Sequence, residues 1–106
     1  MELAPRLKAK LLVQALVRRC GVENRAAYVV RRGDADSGAV LVKRVSAEGC
    51  TVFQTVFSGD GDRRWIAATG DAPGAEAEAD AFLARQTRID PDAWVVEVEA
   101  PADWTP

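Results

Sequence analysis

The side chains that could do chemistry in this chain are two cysteines and a set of carboxylates, because the 106-residue sequence contains no histidine. Without an imidazole, a Ser-His-Asp or Cys-His arrangement is impossible. Cys20 ends a predicted helix and Cys50 begins a predicted strand, so we expect two packed, reduced thiols and no disulfide. Asp90 and Asp92 flank a proline, where paired carboxylates could do acid-base work, but this pattern is typical of a helix end and a turn. The residues favour a non-enzymatic protein, with an enzyme using Asp90, Asp92 or Cys20 as the alternative.

Two loops begin like ligand-binding motifs without completing them. Residues 34–38 (DADSG) start like a calcium loop, but no further carboxylate follows at the required spacing. Residues 60–62 (DGD) are equally incomplete. The turn at residues 33–38 lacks the Lys-Ser/Thr pair of a phosphate-binding loop, and a strand is predicted after it where that motif needs a helix. We therefore expect no metal and no cofactor.

Length and composition limit the remaining classes. A chain of 106 residues with 48% hydrophobic and 28% charged residues is typical of one globular domain. The longest apolar stretch, residues 11–17, is interrupted by Gln14 and is too short to cross a bilayer. Basic residues precede it, but no signal-peptide cleavage site follows. We interpret this stretch as a helix of the folded domain and expect a cytoplasmic protein.

The net charge of −2 hides an asymmetry between the two halves of the chain. Residues 1–50 carry ten Lys and Arg against five Asp and Glu, whereas residues 51–106 carry four against eleven. A basic half can mark a binding surface for nucleic acid, and packing of the two halves against each other is the alternative. The pI of about 5.1 is low for a dedicated nucleic-acid binder.

The periodicity of apolar residues predicts helices at residues 5–20 and 75–88, and strands at 26–32, 39–45, 50–57, 64–69 and 94–99. The order is α-β-β-β-β-α-β. Within residues 39–45, alternation places Leu41, Lys43 and Val45 on one face and Val40 and Val42 on the other. We expect one α+β domain over residues 1–99, built as an antiparallel four- to five-stranded meander with two helices. Residues 100–106 contain two prolines and are predicted to be a loose tail.

The candidate interaction residues are cations at the ends of the first predicted hairpin and two tryptophans. They are Arg31, Arg32, Lys43, Arg44, Trp94 and Trp104. Trp104 either anchors a partner or second copy, or covers the chain's own sheet. We first hypothesise a protein-interaction or structural module, including a homodimer. The alternative is a nucleic-acid-associated protein that uses the basic N-terminal half, with Tyr28 and Phe53 as stacking faces.

Three sequence blocks in combination resemble a known bacterial family. They are residues 12–19 (LVQALVRR), 30–43 (VRRGDADSGAVLVK) and 90–99 (DPDAWVVEVE), and residues 62–65 (DRRW) fit as well. Over residues 5–99 the chain resembles domain of unknown function fourteen ninety-one, a family of small single-domain proteins found mainly in alphaproteobacteria. The resemblance implies a bacterial protein and carries over no activity, cofactor, partner or site residue. The loop at residues 58–62, in a region expected to vary within the family, is short here.

Overall fold

Two helices pack on opposite faces of a five-stranded sheet in a computed structural model that describes residues 8–59 and 62–106. The helices and strands are, in chain order, α1 (Ala9–Val22), β1 (Ala26–Arg31), β2 (Val40–Ser46), β3 (Gly49–Phe57), β4 (Arg63–Ala67), α2 (Glu76–Ile89) and β5 (Trp94–Glu99). The α+β class and the predicted order of elements are confirmed. The predicted first turn of α1, residues 5–7, lies outside the described residues, as do Asp60 and Gly61.

The sheet is mixed, with the strand order β1-β5-β2-β3-β4. Strand β5 lies between β1 and β2, antiparallel to β1 and parallel to β2. The expected fully antiparallel meander is therefore interrupted. The reason is that α2 carries the chain from β4 back across the sheet and delivers β5 beside β2. The loop at residues 32–39 consequently forms no β1–β2 hairpin, and it wraps around the start of β5, where the Asp34 N–H donates to the Asp92 carbonyl (2.9 Å).

Helix α1 covers one face of the sheet through its apolar stripe. Ala9, Val13, Leu16 and Cys20 are buried against Val96 and other residues of β5 and β2. Lys8, the N-cap residue, makes no side-chain cap, and the carbonyls of the 33–38 loop accept the first helical N–H groups in its place. The loop thus performs the capping that exposed helical N–H groups require.

Helix α2 covers the opposite face over a smaller core. This core consists of the buried residues Leu41, Cys50, Val52, Ala79, Ala93 and Val95. Phe82 and Leu83 of α2 pack against it and are partly buried. Because the two faces of β2 are covered by different helices, both sets of its alternating side chains are buried. The predicted faces of this strand are confirmed.

Residues 100–106 fold back across the α1 side of the sheet, unlike the loose tail expected from their prolines. Trp104 is buried in the core formed with α1, and its Nε1 donates to the Glu23 carboxylate (3.0 Å). Arg19 donates to the carbonyls of Thr105 and Pro106 (2.9 and 2.8 Å) and stacks on the Trp104 ring. A large aromatic surface in contact with a sheet outweighs the local preference of prolines for irregular structure. Among the described residues, neither helix has the length and hydropathy that a membrane span needs.

Candidate functional site

Most of the candidate interaction residues identified in the sequence have buried side chains. The exposed fractions are 5% for Lys43, 2% for Arg44, 3% for Trp94 and 7% for Trp104. All four lie on the central strands β2 and β5 or in the returning C-terminal segment, where α1 or α2 covers them. Each of the four hydrogen bonds within the domain, and Lys43, Arg44 and Trp104 stabilise the fold and do not offer a surface.

Lys43 joins three elements on the α2 face. Its Nζ lies 2.7 Å from both Glu76 Oε2 and Asp80 Oδ1 of α2, and 3.6 Å from Glu97 Oε1 of β5. Burial alone lowers the pKa of the Lys43 ammonium, but its hydrogen bonds to Asp80 and Glu76 outweigh burial and raise that pKa well above its ordinary value. The lysine is therefore a permanent cation that ties α2 to the sheet.

Arg44 performs the equivalent role on the α1 face without a carboxylate partner. Its guanidinium donates to the Trp104 carbonyl (2.7 Å) and to Thr51 Oγ1 (3.0 Å), and it stacks over the Phe53 ring. Burial lowers the pKa of this guanidinium. No ion pair involves Arg44 within the described residues. The C-terminal segment is thus fixed to β2 and β3 by a buried arginine.

Arg31 and Arg32, the two cations at the end of β1, lie in different surroundings. Arg31 donates to the Ala93 carbonyl (2.6 Å), which fixes the start of β5. Arg32 is exposed and lies over the Trp94 ring, whose Nε1 donates to the Asp34 carbonyl (2.7 Å). Of the six candidate residues, only Arg32 is exposed.

The candidate reactive side chains occupy structural positions. Cys20 and Cys50 are free and buried in the two separate cores on opposite faces of the sheet, and burial raises the pKa of both thiols. Asp90 closes the turn before β5, where its Oδ1 accepts the Asp92 N–H (3.0 Å). Asp34 accepts the N–H groups of residues 36 and 37, and these hydrogen bonds lower the pKa of its carboxyl. Within residues 8–59 and 62–106, no group of three or more His, Cys, Asp or Glu side chains is placed to hold a metal ion.

A groove between α1 and β1 is an accessible feature of the described residues, and two of the six candidate residues, Arg32 and Trp94, line it. It has a volume of about 380 Å³. Its apolar lining residues are Val13, Val17, Val29 and Trp94. Its polar lining residues are Lys10, Gln14, Arg18 and Arg32. We call this feature the α1–β1 groove. It combines an apolar floor with a cationic rim, and none of the described residues that line it is a carboxylate.

The three cations of the α1–β1 groove are not neutralised by any of the described residues. Neither Lys10, Arg18 nor Arg32 forms an ion pair in the part of the chain that the structure describes. By contrast, nearby Lys8 pairs with Asp36 and Arg19 pairs with Glu23. Like charges on one concavity add their potentials, so the groove attracts anionic groups.

Strand β1 borders the groove and forms an edge of the sheet. Tyr28, Val29 and Val30 are consecutive and have exposed fractions of 52%, 48% and 62%. A bulge at Val30 shifts the register, since Val29 pairs with Val96 and Arg31 with Val95. The sequence signal for this surface is the run of three apolar residues, because apolar and polar side chains should alternate along a half-buried strand.

The comparisons with known proteins identify relatives without a described activity. A family model described as protein of unknown function (DUF1491) matches residues 7–106. A crystal structure and an NMR structure of a DUF1491 family protein from Caulobacter crescentus CB15 are similar to this chain. The crystal structure has a TM-score of 0.77 and 39% identity over 89% of this chain and 88% of the other. The NMR structure has a TM-score of 0.79 and 40% identity over 90% and 86%. A solution structure from A. tumefaciens has a TM-score of 0.78 and 28% identity over 90% and 86%. None of the curated proteins compared with the chain matches it.

Proposed function

We propose that this chain, which belongs to the DUF1491 family of proteins of unknown function, is a protein-interaction module of the bacterial cytoplasm. The observation that carries the proposal is the cationic and apolar α1–β1 groove beside the exposed edge strand β1. The free cysteines and the bacterial origin of the relatives support the proposed compartment. The partner is a protein that presents acidic and apolar side chains together.

The chemistry of the groove selects for both properties. Its floor of Val29, Val17 and Trp94 removes apolar side chains from water, which contributes affinity. Its rim cations attract carboxylates at longer range, which contributes association rate and discrimination against basic partners. A purely apolar or a purely polyanionic partner would use only half of this surface.

The nucleic-acid alternative has less support. Lys43 and Arg44 are buried, and Arg19 is engaged with the C-terminal segment, so the basic N-terminal half does not form one continuous patch. Phe53 is buried and has no free face for base stacking. Nucleic acid remains an outcome that the experiment below separates from protein binding.

Site-specific photo-crosslinking in the native bacterium tests the proposal. A photoreactive amino acid at Val30, which is exposed and directly follows the groove residue Val29, should capture one protein through a peptide rich in Asp and Glu. The matched control is the same amino acid at Ile89, which is exposed at the end of α2 and should not capture that protein. Capture should disappear when Lys10, Arg18 and Arg32 are all replaced by Gln, and should persist after nuclease treatment. A crosslinked nucleic acid, or identical products from Val30 and Ile89, would contradict the proposal.

A further inference from the structure

The outward side of β1 is available for pairing. Strand β1 pairs with β5 on one side, and among the described residues its backbone groups form no ladder with any other strand. In an antiparallel ladder only alternate residues direct their N–H and C=O groups to a given neighbour, and the others face away. Half of the backbone groups of Ala26–Arg31 therefore face outward, which is the template for an added strand.

The α1–β1 groove runs alongside this template. Val29 of β1 and Arg32, which directly follows β1, both line the groove, so a strand laid against β1 has one of its faces at the groove. Side chains on one face of a strand are about 7 Å apart. Suppose that the added strand places an apolar side chain beside Val29. The side chains two residues before and two residues after it in that strand would then lie level with the rim cations. Carboxylates at those two positions would be paired with Lys10, Arg18 or Arg32.

A second copy of this chain fits the same edge poorly. If β1 paired antiparallel with β1 of a second copy, a two-fold axis through the joined sheet would relate the two copies. This symmetry would place both α1 helices on the same face of the joined sheet. Arg18 and Arg32 of one copy would then face those of the other, and like charges in close contact oppose association. The bulge at Val30 also bends the edge away from a long flat pairing, which limits the usable part to residues 26–29.

We infer that the partner contributes a short acidic segment in extended conformation, which adds to β1 as a sixth strand and places one apolar side chain in the α1–β1 groove. This inference rests on the proposed function and specifies its ligand. The pattern expected in the segment is acidic-x-apolar-x-acidic, with the two intervening side chains on the opposite face. Backbone hydrogen bonds to β1 supply affinity, and the groove supplies selectivity.

A synthetic peptide tests this mode of binding. The probe is the heptapeptide acetyl-Thr-Glu-Thr-Val-Thr-Glu-Thr-amide, titrated into ¹⁵N-labelled protein at low salt. Amide shifts should change in residues 26–29. N-methylation of the peptide should weaken binding about tenfold or more at alternate positions and leave the positions between them unchanged, because only every second N–H donates to β1. A peptide that lies in the groove as a helix or coil lacks this alternation.

Variants of the protein provide the matched comparison. Replacing Lys10, Arg18 and Arg32 together by Gln should weaken binding about fivefold, since the two exposed charge pairs with the Glu residues of the peptide are each worth a few tenths of a kcal/mol to one kcal/mol. Replacing Arg64, Arg85 and Arg88 by Gln removes the same charge elsewhere on the surface and should change affinity little. Substitution of Lys for both Glu residues of the peptide should abolish binding.

The outcomes separate this inference from the proposed function. Equal loss at all N-methylated positions, shifts confined to α1, or no saturable binding would overturn strand addition. The photo-crosslinking result at Val30 decides independently whether a protein partner binds this surface. Binding of the Lys-substituted peptide as strongly as the Glu peptide would overturn the acidic pattern as well.

Discussion

Replacing Lys43 by Met should change stability less than removing the carboxylates that surround it. Lys43 is a buried cation, whereas Glu76 and Asp80 have side chains that are 61% and 57% exposed. Removing the lysine leaves Glu76 and Asp80, which water can solvate, and Glu97, whose side chain is 30% exposed. Removing both carboxylates leaves a buried ammonium whose nearest remaining partner, Glu97 Oε1, is 3.6 Å away. The two perturbations break the same ion pairs but leave very different groups behind.

The magnitudes follow from this difference in exposure. Breaking a fully buried pair costs about 3–5 kcal/mol when a buried charge is left alone, and we expect about 2 kcal/mol for Glu76→Gln with Asp80→Asn because Glu97 stays and the carboxylates are solvated. Met occupies nearly the same space as the lysine and needs no partner, so Lys43→Met should cost less than about 1 kcal/mol. For a domain of this size, about 2 kcal/mol corresponds to a decrease of roughly 10 °C in Tm.

Urea and thermal unfolding of the three proteins measure the difference. The pKa of Lys43 is raised on folding, so the stabilisation by its charged form is fully present below the ordinary value of 10.5 and is lost as the pH rises through the higher folded-state value. The wild type should therefore lose stability relative to Lys43→Met as the pH rises above 10.5. Lys43→Met being as destabilising as the double carboxylate variant would refute the reasoning, since it would mean that the pairing itself dominates.

Three further predictions concern the interior. Trp104→Ala should cost about 3–4 kcal/mol in urea unfolding, with the exposed Thr105→Ala as a near-neutral control; a change below about 1 kcal/mol would show that the C-terminal segment is dispensable. Gly38→Ala should cost about 2 kcal/mol, because a Cβ there meets the Asp92 backbone, whereas Gly21→Ala enters open space on α1 and should stabilise by about 0.5 kcal/mol. Cys20 and Cys50 should resist Ellman's reagent in the native protein and react on unfolding, since burial raises the pKa of both thiols; rapid native labelling at pH 8 would contradict their placement.

Local patterns in the sequence were sufficient to predict the helices and strands, but not which of these elements lie next to one another in the fold. Alternation correctly assigned Lys43 and Val42 to opposite faces of β2, because each side chain's direction is set by the strand itself. Whether a face is covered depends on helices distant in sequence, so Lys43 and Arg44 looked like surface cations although α2 and the C-terminal segment bury them. The strand order also depends on contacts between elements that are distant in sequence. Residues 33–38 have the composition of a hairpin turn, but β5 enters the gap because its apolar Trp94, Val95 and Val96 are buried best at the centre of the sheet.

The sequence analysis named two residues of the candidate site, Arg32 and Trp94, but did not predict the groove, because no single element contains it. The α1–β1 groove takes Arg18 from a helix and Arg32 from the end of a strand, and no local motif links the two. The charge asymmetry of the chain predicted either a basic binding surface or packing of the two halves against each other, and each interpretation describes part of the molecule. Some basic residues of the first half are neutralised inside the fold, as the Lys43 cluster with Glu76, Asp80 and Glu97 shows. That internal pairing engages acidic residues on the α2 side, while on the α1 side no described residue forms an ion pair with the groove cations. The same packing that stabilises the fold therefore also creates the surface from which we infer an acidic partner.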